Sequence, residues 1–391
     1  MKESHMRTKL AHTGDLKLAK KIQSSVSVPK VLPIYMSSVF TFDDVPSLDA
    51  VYAGEADGYV YSRMTNPSTD AAEEMLAAAE GADGALVFSS GMAAIINAII
   101  ANVQAGDHIV SSPVLYGGVY DYFKHELPRF GVEVTFVEFD DPAKVEAAIR
   151  PNTKVVYTET ISNPLMEVND LPAIAAACRR KSPNLIFHAD CVQSFCRLPI
   201  DPVKWGIQLV SVSGHKIHAP KGTGALYIAK GTRLLPPLYG SGQEKGLRPG
   251  TENVPGIAAL GLAAQLMNGR CAENFAHFTA LRQRMITNLS QSPAVCINSP
   301  ADAAPYIVNC SVQGIRSEVM IHYLEQFGIY VSSGSACAQG ERSHVLTAMG
   351  LSRDRIDSAV RVSMTDTTTP EEIDEFCRRL LPRHVPSDPS E

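Results

Sequence analysis

The sequence predicts an α/β protein in which a mainly parallel sheet forms a large domain and a smaller α+β domain follows it. Three observations carry that expectation. From about residue 66, short apolar runs of strand length alternate with helical patterns. Several of the apolar runs end in polar residues, as strands do where a doubly wound sheet presents its ligand-binding edge. Around Val254 the texture changes to two long helical patterns followed by short strands.

Taken in order, DAAEEMLAAAE is helical and ends at Gly81; ALVF is a strand, SSG a turn, and MAAIINAIIANVQ an apolar helix. HIVSS, VEVTFVEF, VVYTET, LIFHAD, LVSVSG and GALYIA are the next strands, with helices after Tyr116, Asp141 and Asp170. VPGIAALGLAAQLMN and FAHFTALRQRMITNLS are long helices, and short strands lie near YIVNCSV, IYVSSGS and AVRVSM. The organisation expected is an N-terminal arm without clear regular pattern over 1–60, a large domain over 61–256, a small domain over 257–382 and a disordered tail over 383–391.

Composition narrows the function. With 391 residues and 45% hydrophobic content, the chain can bury a sizeable core. Lys+Arg 35 against Asp+Glu 41 gives a net charge of -6 without a basic block, which argues against nucleic acid. Eight cysteines are scattered with no CxxC pair, so neither a metal site nor a disulfide framework is expected. The amino terminus is polar and the apolar stretches are too short to span a bilayer, so a cytoplasmic protein is expected.

The stretch SVSGHKIHAPKGTGALY holds two lysines. An amine nucleophile needs a lysine held at a strand end, partly desolvated or near positive charge. Lys216, directly after LVSVSG, fits better than Lys221 in the loop APKGTG. Ser213 and His215 offer donors beside it, and the turn Ser89 to Gly91 offers backbone amides at a helix start, where an anion is favoured. A phosphate beside a reactive amine points to pyridoxal phosphate, whose ring nitrogen works as an electron sink only when a carboxylate keeps it protonated. Asp190, ending LIFHAD, is the candidate carboxylate.

HADCVQS, SVSGHKIHAPKGTGALY, RPGTEN and VSSGSACAQGERSHVL, in order between about 185 and 374, resemble the signature segments of cysteine desulfurases, pyridoxal-phosphate enzymes of fold type I. The resemblance implies that Lys216 carries the cofactor, that Asp190 pairs with the pyridine nitrogen and that Gln193 contacts the phenolic oxygen. It further implies Ser213 and His215 at the phosphate, Thr251 reaching the phosphate of a partner subunit, Cys337 as the sulfur-accepting thiol and Arg361 at the substrate carboxylate.

The first half resembles a different group. YVYSRMTNPSTDAAEEMLAAAEGADGALVFSSGMAAI, SPVLYGGVYDYF and ETISNPLMEVNDLPAIA, within about 8–177, are similar to cystathionine gamma-synthase, cystathionine gamma-lyase and methionine gamma-lyase. By that likeness Tyr61 and Arg63 bind the phosphate of the neighbouring subunit, and Ser90, Gly91 and Met92 form the phosphate cradle within one chain. Tyr116 stacks on the ring with a catalytic role, and Asn163 contacts the phenolic oxygen and the substrate. The chain thus reads as two family patterns meeting near residues 175–186.

The activity these likenesses imply is conversion of L-cysteine to L-alanine with sulfur passed to Cys337 as a persulfide, in a homodimer or higher homo-oligomer that hands sulfur to an acceptor protein such as an iron–sulfur scaffold. Two alternatives stay open at this level. One is a carbon–sulfur lyase, because Tyr116 stands where desulfurases carry a histidine; the other is a pyridoxal-phosphate-binding or sulfur-transfer protein without useful turnover.

Overall fold

The computed structural model describes residues 33–62, 64–79, 84–162, 166–236, 250–333, 346–347 and 350–381. Its larger part is a seven-stranded sheet built from β1 (Ala85–Phe88), β2 (His108–Ser111), β3 (Glu133–Phe136), β4 (Thr153–Glu159), β5 (Ile186–Asp190), β6 (Leu209–Ser213) and β7 (Gly224–Ile228) in the order β1-β7-β6-β5-β4-β2-β3. All pairings are parallel except those of β7, which runs antiparallel to both β1 and β6. Seven apolar runs expected as strands are those seven strands. Residues alternate between two cores: Val87, Val156, Phe187, Val210 and Ala225 pack on one face, and Ile109, Val155 and Tyr157 on the other. Helices cover both faces, so the strands read as nearly continuous apolar runs.

The helices in this part are α1 (Val45–Tyr52), α2 (Pro67–Ala79), α3 (Gly91–Ile100), α4 (Gly117–Asp121), α5 (Pro142–Ala148), α6 (Leu171–Lys181), α7 (Pro202–Trp205) and α8 (Val254–Gly269). Their starts follow local chemistry. Asp141, Asp170 and Asp201 each cap a helix by accepting a backbone N–H, and Pro142, Pro172 and Pro202 stand in the first turn, where a missing N–H costs nothing.

Within the expected patternless arm, residues 45–52 form α1, capped by Asp44 accepting from Ser47. The cap and Pro46 start a helix that has no buried residue, which is why no apolar period marks it. Residues 1–32 and 382–391, which hold most of the arm and the tail, lie outside the described residues.

A second part carries α9 (Cys271–Leu289), β8 (Val295–Ile297), β9 (Ile307–Val312), α10 (Ser317–Glu325), α11 (Arg353–Asp357), β10 (Ala359–Ser363) and α12 (Pro370–Leu380). Its three strands form an antiparallel sheet ordered β10-β9-β8. Phe278, Leu281, Met285, Val308, Val360 and Phe376 share its separate core.

Two sequence expectations change here. The boundary at 256/257 would give α8 to the small domain, yet Ile257, Leu260 and Ala264 lie in the large core. Gly261 lets α8 approach α2 closely: a Cβ there would stand 3.1 Å from the Cα of Ala72. Of the strand expected at IYVSSGS, residues 329–333 make a single bridge, Ser332 with Arg361, and residues 334–335 lie outside the described residues. Among the described residues, no helix is long and apolar enough to cross a membrane.

Candidate active site

The carboxyl ends of β4, β5 and β6 and the start of α3 bring the expected residues to one edge of the sheet. Asp190 ends β5 and is 6% exposed. Its Oδ1 accepts the Val192 N–H at 2.9 Å, and its Oδ2 accepts the Tyr157 hydroxyl at 3.3 Å. Burial pushes this carboxyl up to about 6, while those two donors, Ser211 and the Lys216 charge pull the other way. A buried carboxylate at such a point is stabilised by an opposite charge brought to it.

Lys216 closes a 3-10 turn, Gly214–Lys216, that follows β6 directly. Its ammonium is felt by both Asp190 and Glu159. Lys221 lies exposed in the next loop. Ser213 is buried at the end of β6, whereas His215 is exposed, its imidazole lowered by desolvation and then by Lys216 and Lys221.

The helix start expected to cradle an anion is that of α3. Ser90 caps this helix, its hydroxyl accepting the Ala93 N–H at 3.0 Å, so the first-turn amides of Gly91 and Met92 keep no acceptor inside the helix. Gly91 faces Ser213: a Cβ at Gly91 would stand 2.8 Å from the Ser213 Cβ. Gly224 of β7 passes under the same turn, where a Cβ would fall 2.4 Å from the Ser90 carbonyl carbon and 2.6 Å from the Gly91 nitrogen. Absent side chains thus bring a helix start and the Ser213 hydroxyl together.

Tyr116 precedes α4 and is 44% exposed. The ring lies over Gly118, where a Cβ would come within 2.8 Å of a ring carbon. The Tyr116 backbone N–H donates to the Glu159 carboxyl. Gln193 lies in the turn after β5, its carbonyl accepting the Tyr306 hydroxyl at 2.5 Å. Arg361 sits on β10, bound through its backbone to Ser332.

Tyr61 is elsewhere: it lines a recess with Val39, Leu48, Tyr52 and Met64 that contains none of the residues around Lys216. Thr251 is exposed ahead of α8. Arg63, Asn163 and Cys337 lie outside the described residues. Of the other seven cysteines, Cys178, Cys191, Cys196, Cys310 and Cys377 are buried and Cys271 and Cys296 are partly exposed.

Sequence reasoning passed over Glu159, Tyr157 and Arg197. Glu159 ends an apolar strand just as Asp190 does, and that shared signal was enough to single it out. It is 6% exposed, and burial followed by the neighbouring Asp190 holds its carboxyl well above the usual range. Tyr157 and Arg197 carried no sequence signal, since a strand tyrosine and a loop arginine are ordinary.

An amine beside a buried carboxylate, next to a helix start with a serine hydroxyl, fits pyridoxal phosphate: Lys216 for the aldehyde carbon, Asp190 for the pyridine nitrogen, the α3 amides and Ser213 for the phosphate. Fold and site define a pyridoxal-phosphate-dependent enzyme of fold type I.

Comparison with known proteins narrows the class. Residues 8–219 match the family described as Cys/Met metabolism PLP-dependent enzyme. Cysteine desulfurase 2 of Trichormus variabilis is 34% identical over 352 residues, covering 86% of this chain and 87% of that protein. Cysteine desulfurase IscS of Methanosarcina thermophila is 33% identical over 344 residues, covering 84% of each. Among solved structures, a NifS-like protein superposes with a TM-score of 0.74 at 26% identity, over 87% of this chain and 95% of that one. SspA in complex with cysteine gives 0.64 at 25% identity, over 90% and 95%.

The chain belongs to the pyridoxal-phosphate-dependent cysteine desulfurase family, with the Cys/Met-metabolism pattern running through its first part. Both likenesses cross the meeting point expected near 175–186. A 352-residue match cannot fit into residues 185–391, and the Cys/Met pattern reaches residue 219, past Lys216.

Proposed function

We propose that this protein is a cysteine desulfurase that takes sulfur from L-cysteine onto Cys337 and releases L-alanine. The observation that carries the reading is the placement of Lys216 and Asp190 on adjacent strand ends beside the α3 cradle, in a chain aligned with cysteine desulfurases over most of its length. When bound, pyridoxal phosphate supplies an electron sink that labilises bonds at the substrate α-carbon.

The protein supplies the rest. Asp190 holds the pyridine nitrogen protonated, and the Gly91 and Met92 amides with Ser90, Ser213 and His215 hold the phosphate. Gln193 and Asn163 bind the phenolic oxygen, and Tyr116 covers the ring face. Arg361 and Asn163 orient the substrate through its carboxylate. Lys216, once its amine is free, takes the proton from the substrate α-carbon. The Cys337 thiolate then attacks the substrate sulfur: the carbon–sulfur bond breaks, a sulfur–sulfur bond forms, and protonation of the former sulfur-bearing carbon completes alanine.

We place either Tyr61 with Arg63 or Thr251 at the partner subunit's phosphate, which makes a homodimer the working unit. Exposed apolar side chains at Met36, Val39, Tyr52, Leu262 and Leu266 support such an interface. Cytoplasmic location and a protein sulfur acceptor, such as an iron–sulfur scaffold, complete the reading.

Tyr116, standing where desulfurases carry a histidine and with its ring resting on Gly118, supports elimination as the second reading. A single turnover of L-cysteine without reductant tests the first one. One alanine per subunit and a mass gain of one sulfur on the Cys337 peptide are expected; pyruvate with an unmodified Cys337 overturns it.

A further inference from the structure

Three contacts meet at Arg197, in the turn after β5. Its Nη2 donates to the Lys216 carbonyl at 2.6 Å. Its guanidinium lies over the Tyr306 ring, 4.8 Å from the centroid. The Tyr306 hydroxyl returns to the same turn, donating to the Gln193 carbonyl at 2.5 Å. Tyr306 belongs to the small domain: it is 1% exposed, packs edge-on against Phe278 of α9, and leads into β9. Its carbonyl accepts the Met364 N–H at 2.9 Å, just past β10, the strand that carries Arg361.

These contacts make a continuous path. The Arg361 strand is fastened to Tyr306, Tyr306 is clamped between Arg197 and Gln193, and Arg197 holds the main chain of Lys216. Each link is short-range and directional. An arginine is suited to the middle of it, because its planar fork can donate in-plane while its face rests on an aromatic ring; a lysine cannot do both.

We infer that Arg197 is a positioning residue that couples the small-domain strand bearing Arg361 to Lys216, so that seating the substrate carboxylate fixes where the Lys216 amine stands. The inference rests on the reading of Lys216 and Arg361 given above. Arg197 acts through the Lys216 backbone and touches no reacting atom.

The test uses the holoenzyme with L-cysteine and the visible circular dichroism of the bound cofactor, a signal set by how Lys216 holds the ring. Arg197→Met should lower kcat about tenfold with KM changed less than about twofold, a loss the size of one charge-assisted hydrogen bond. The dichroic band should weaken. Arg197→Lys should not rescue either readout.

Tyr306→Phe keeps the ring beneath the guanidinium and loses only the hydroxyl, so it should give a smaller fall of about threefold; it also carries the test should Arg197→Met not fold. Combining the two changes should cost no more than about twofold beyond Arg197→Met alone, because they lie on one path. Multiplying losses, or an unchanged dichroic band in Arg197→Met, would overturn the coupling. A Lys216→Ala protein that keeps the wild-type visible band would instead overturn the reading of Lys216, and the two failures are told apart by that control.

Discussion

Glu159 and Asp190 are register partners at the carboxyl ends of β4 and β5, and both carboxyl groups are buried. Two buried carboxylates side by side do not ionise together, so their environments divide the roles. Asp190, with donors from Val192 and Tyr157 and a level of about 6, is the anion at neutral pH. Burial and then Asp190 hold the Glu159 carboxyl well above the usual range, so of the two it is the one that favours its proton; it accepts the Tyr116 N–H.

That division predicts that Glu159→Gln is mild and Glu159→Ala is not. The amide is a neutral acceptor of similar shape, and cofactor affinity and turnover should stay within about threefold. Alanine leaves the Tyr116 N–H without its acceptor, at a cost of about 1–3 kcal/mol, and loosens the ring above Gly118. Cofactor titration of both variants checks this; equal damage from glutamine would mean that the Glu159 charge itself is required.

Asp190→Asn should separate folding from chemistry. The amide oxygen still serves the Val192 N–H, yet a neutral partner cannot keep the pyridine nitrogen protonated. Turnover should fall by about 10²–10³-fold, the size expected when one member of a buried charge pair is lost. Steady-state kinetics at saturating cofactor decides it, and a fall of less than about tenfold would remove Asp190 from that role.

Gly224→Ala should damage the phosphate cradle without touching a ligand. A Cβ there would fall within 2.6 Å of Ser90 and Gly91 backbone atoms, which cannot swing aside as a side chain does. The expected cost is about 1–3 kcal/mol of stability, with weaker phosphate binding. Thermal unfolding with and without added inorganic phosphate measures both; an unchanged melting temperature would contradict the close approach.

His188 gives a pH dependence of known sign. It is fully buried against Tyr157, Nε2 lies 3.2 Å from the Ser211 hydroxyl, Nδ1 has no hydrogen-bond partner among the described residues, and burial lowers the imidazole to about 3. Unfolded chains take up a proton below about 6.5 and the folded protein does not, so this group's contribution is intact above 6.5 and is lost as pH falls toward 3. Between pH 6.5 and 5 the loss is about 2 kcal/mol. His188→Phe, which keeps a ring edge-on to Tyr157, should remove that part of the slope in urea unfolding; identical slopes would refute the assignment.

Much of this was legible in the sequence, and particular residues show why. Six of the seven strands of the large sheet stood out because nearly all their residues are buried, which writes each as an apolar run; β3, at the sheet edge, has no buried residue. Lys216, Asp190 and Ser213 stood out because polar residues end those runs. The position of α8 did not, because its assignment to the large core depends on a helix–helix fit at Gly261 and Ala72 that no local pattern records. Strand β8 is three half-buried residues, too short for a period to show. Arg197 and Tyr306 are 109 residues apart in sequence, and their contact exists only in the folded chain.

Sulfur transfer to Cys337 in a site organised by Lys216 and Asp190 is the step that an assay of the products reads most directly. The most direct measurement supplies L-cysteine and a thiol reductant to the holoenzyme and to Cys337→Ser and identifies the organic product. The native protein should form alanine and sulfide in equal amounts, and the variant should lose alanine formation at least about 100-fold, as for removal of a nucleophile. Pyruvate formed equally well by both proteins would contradict it.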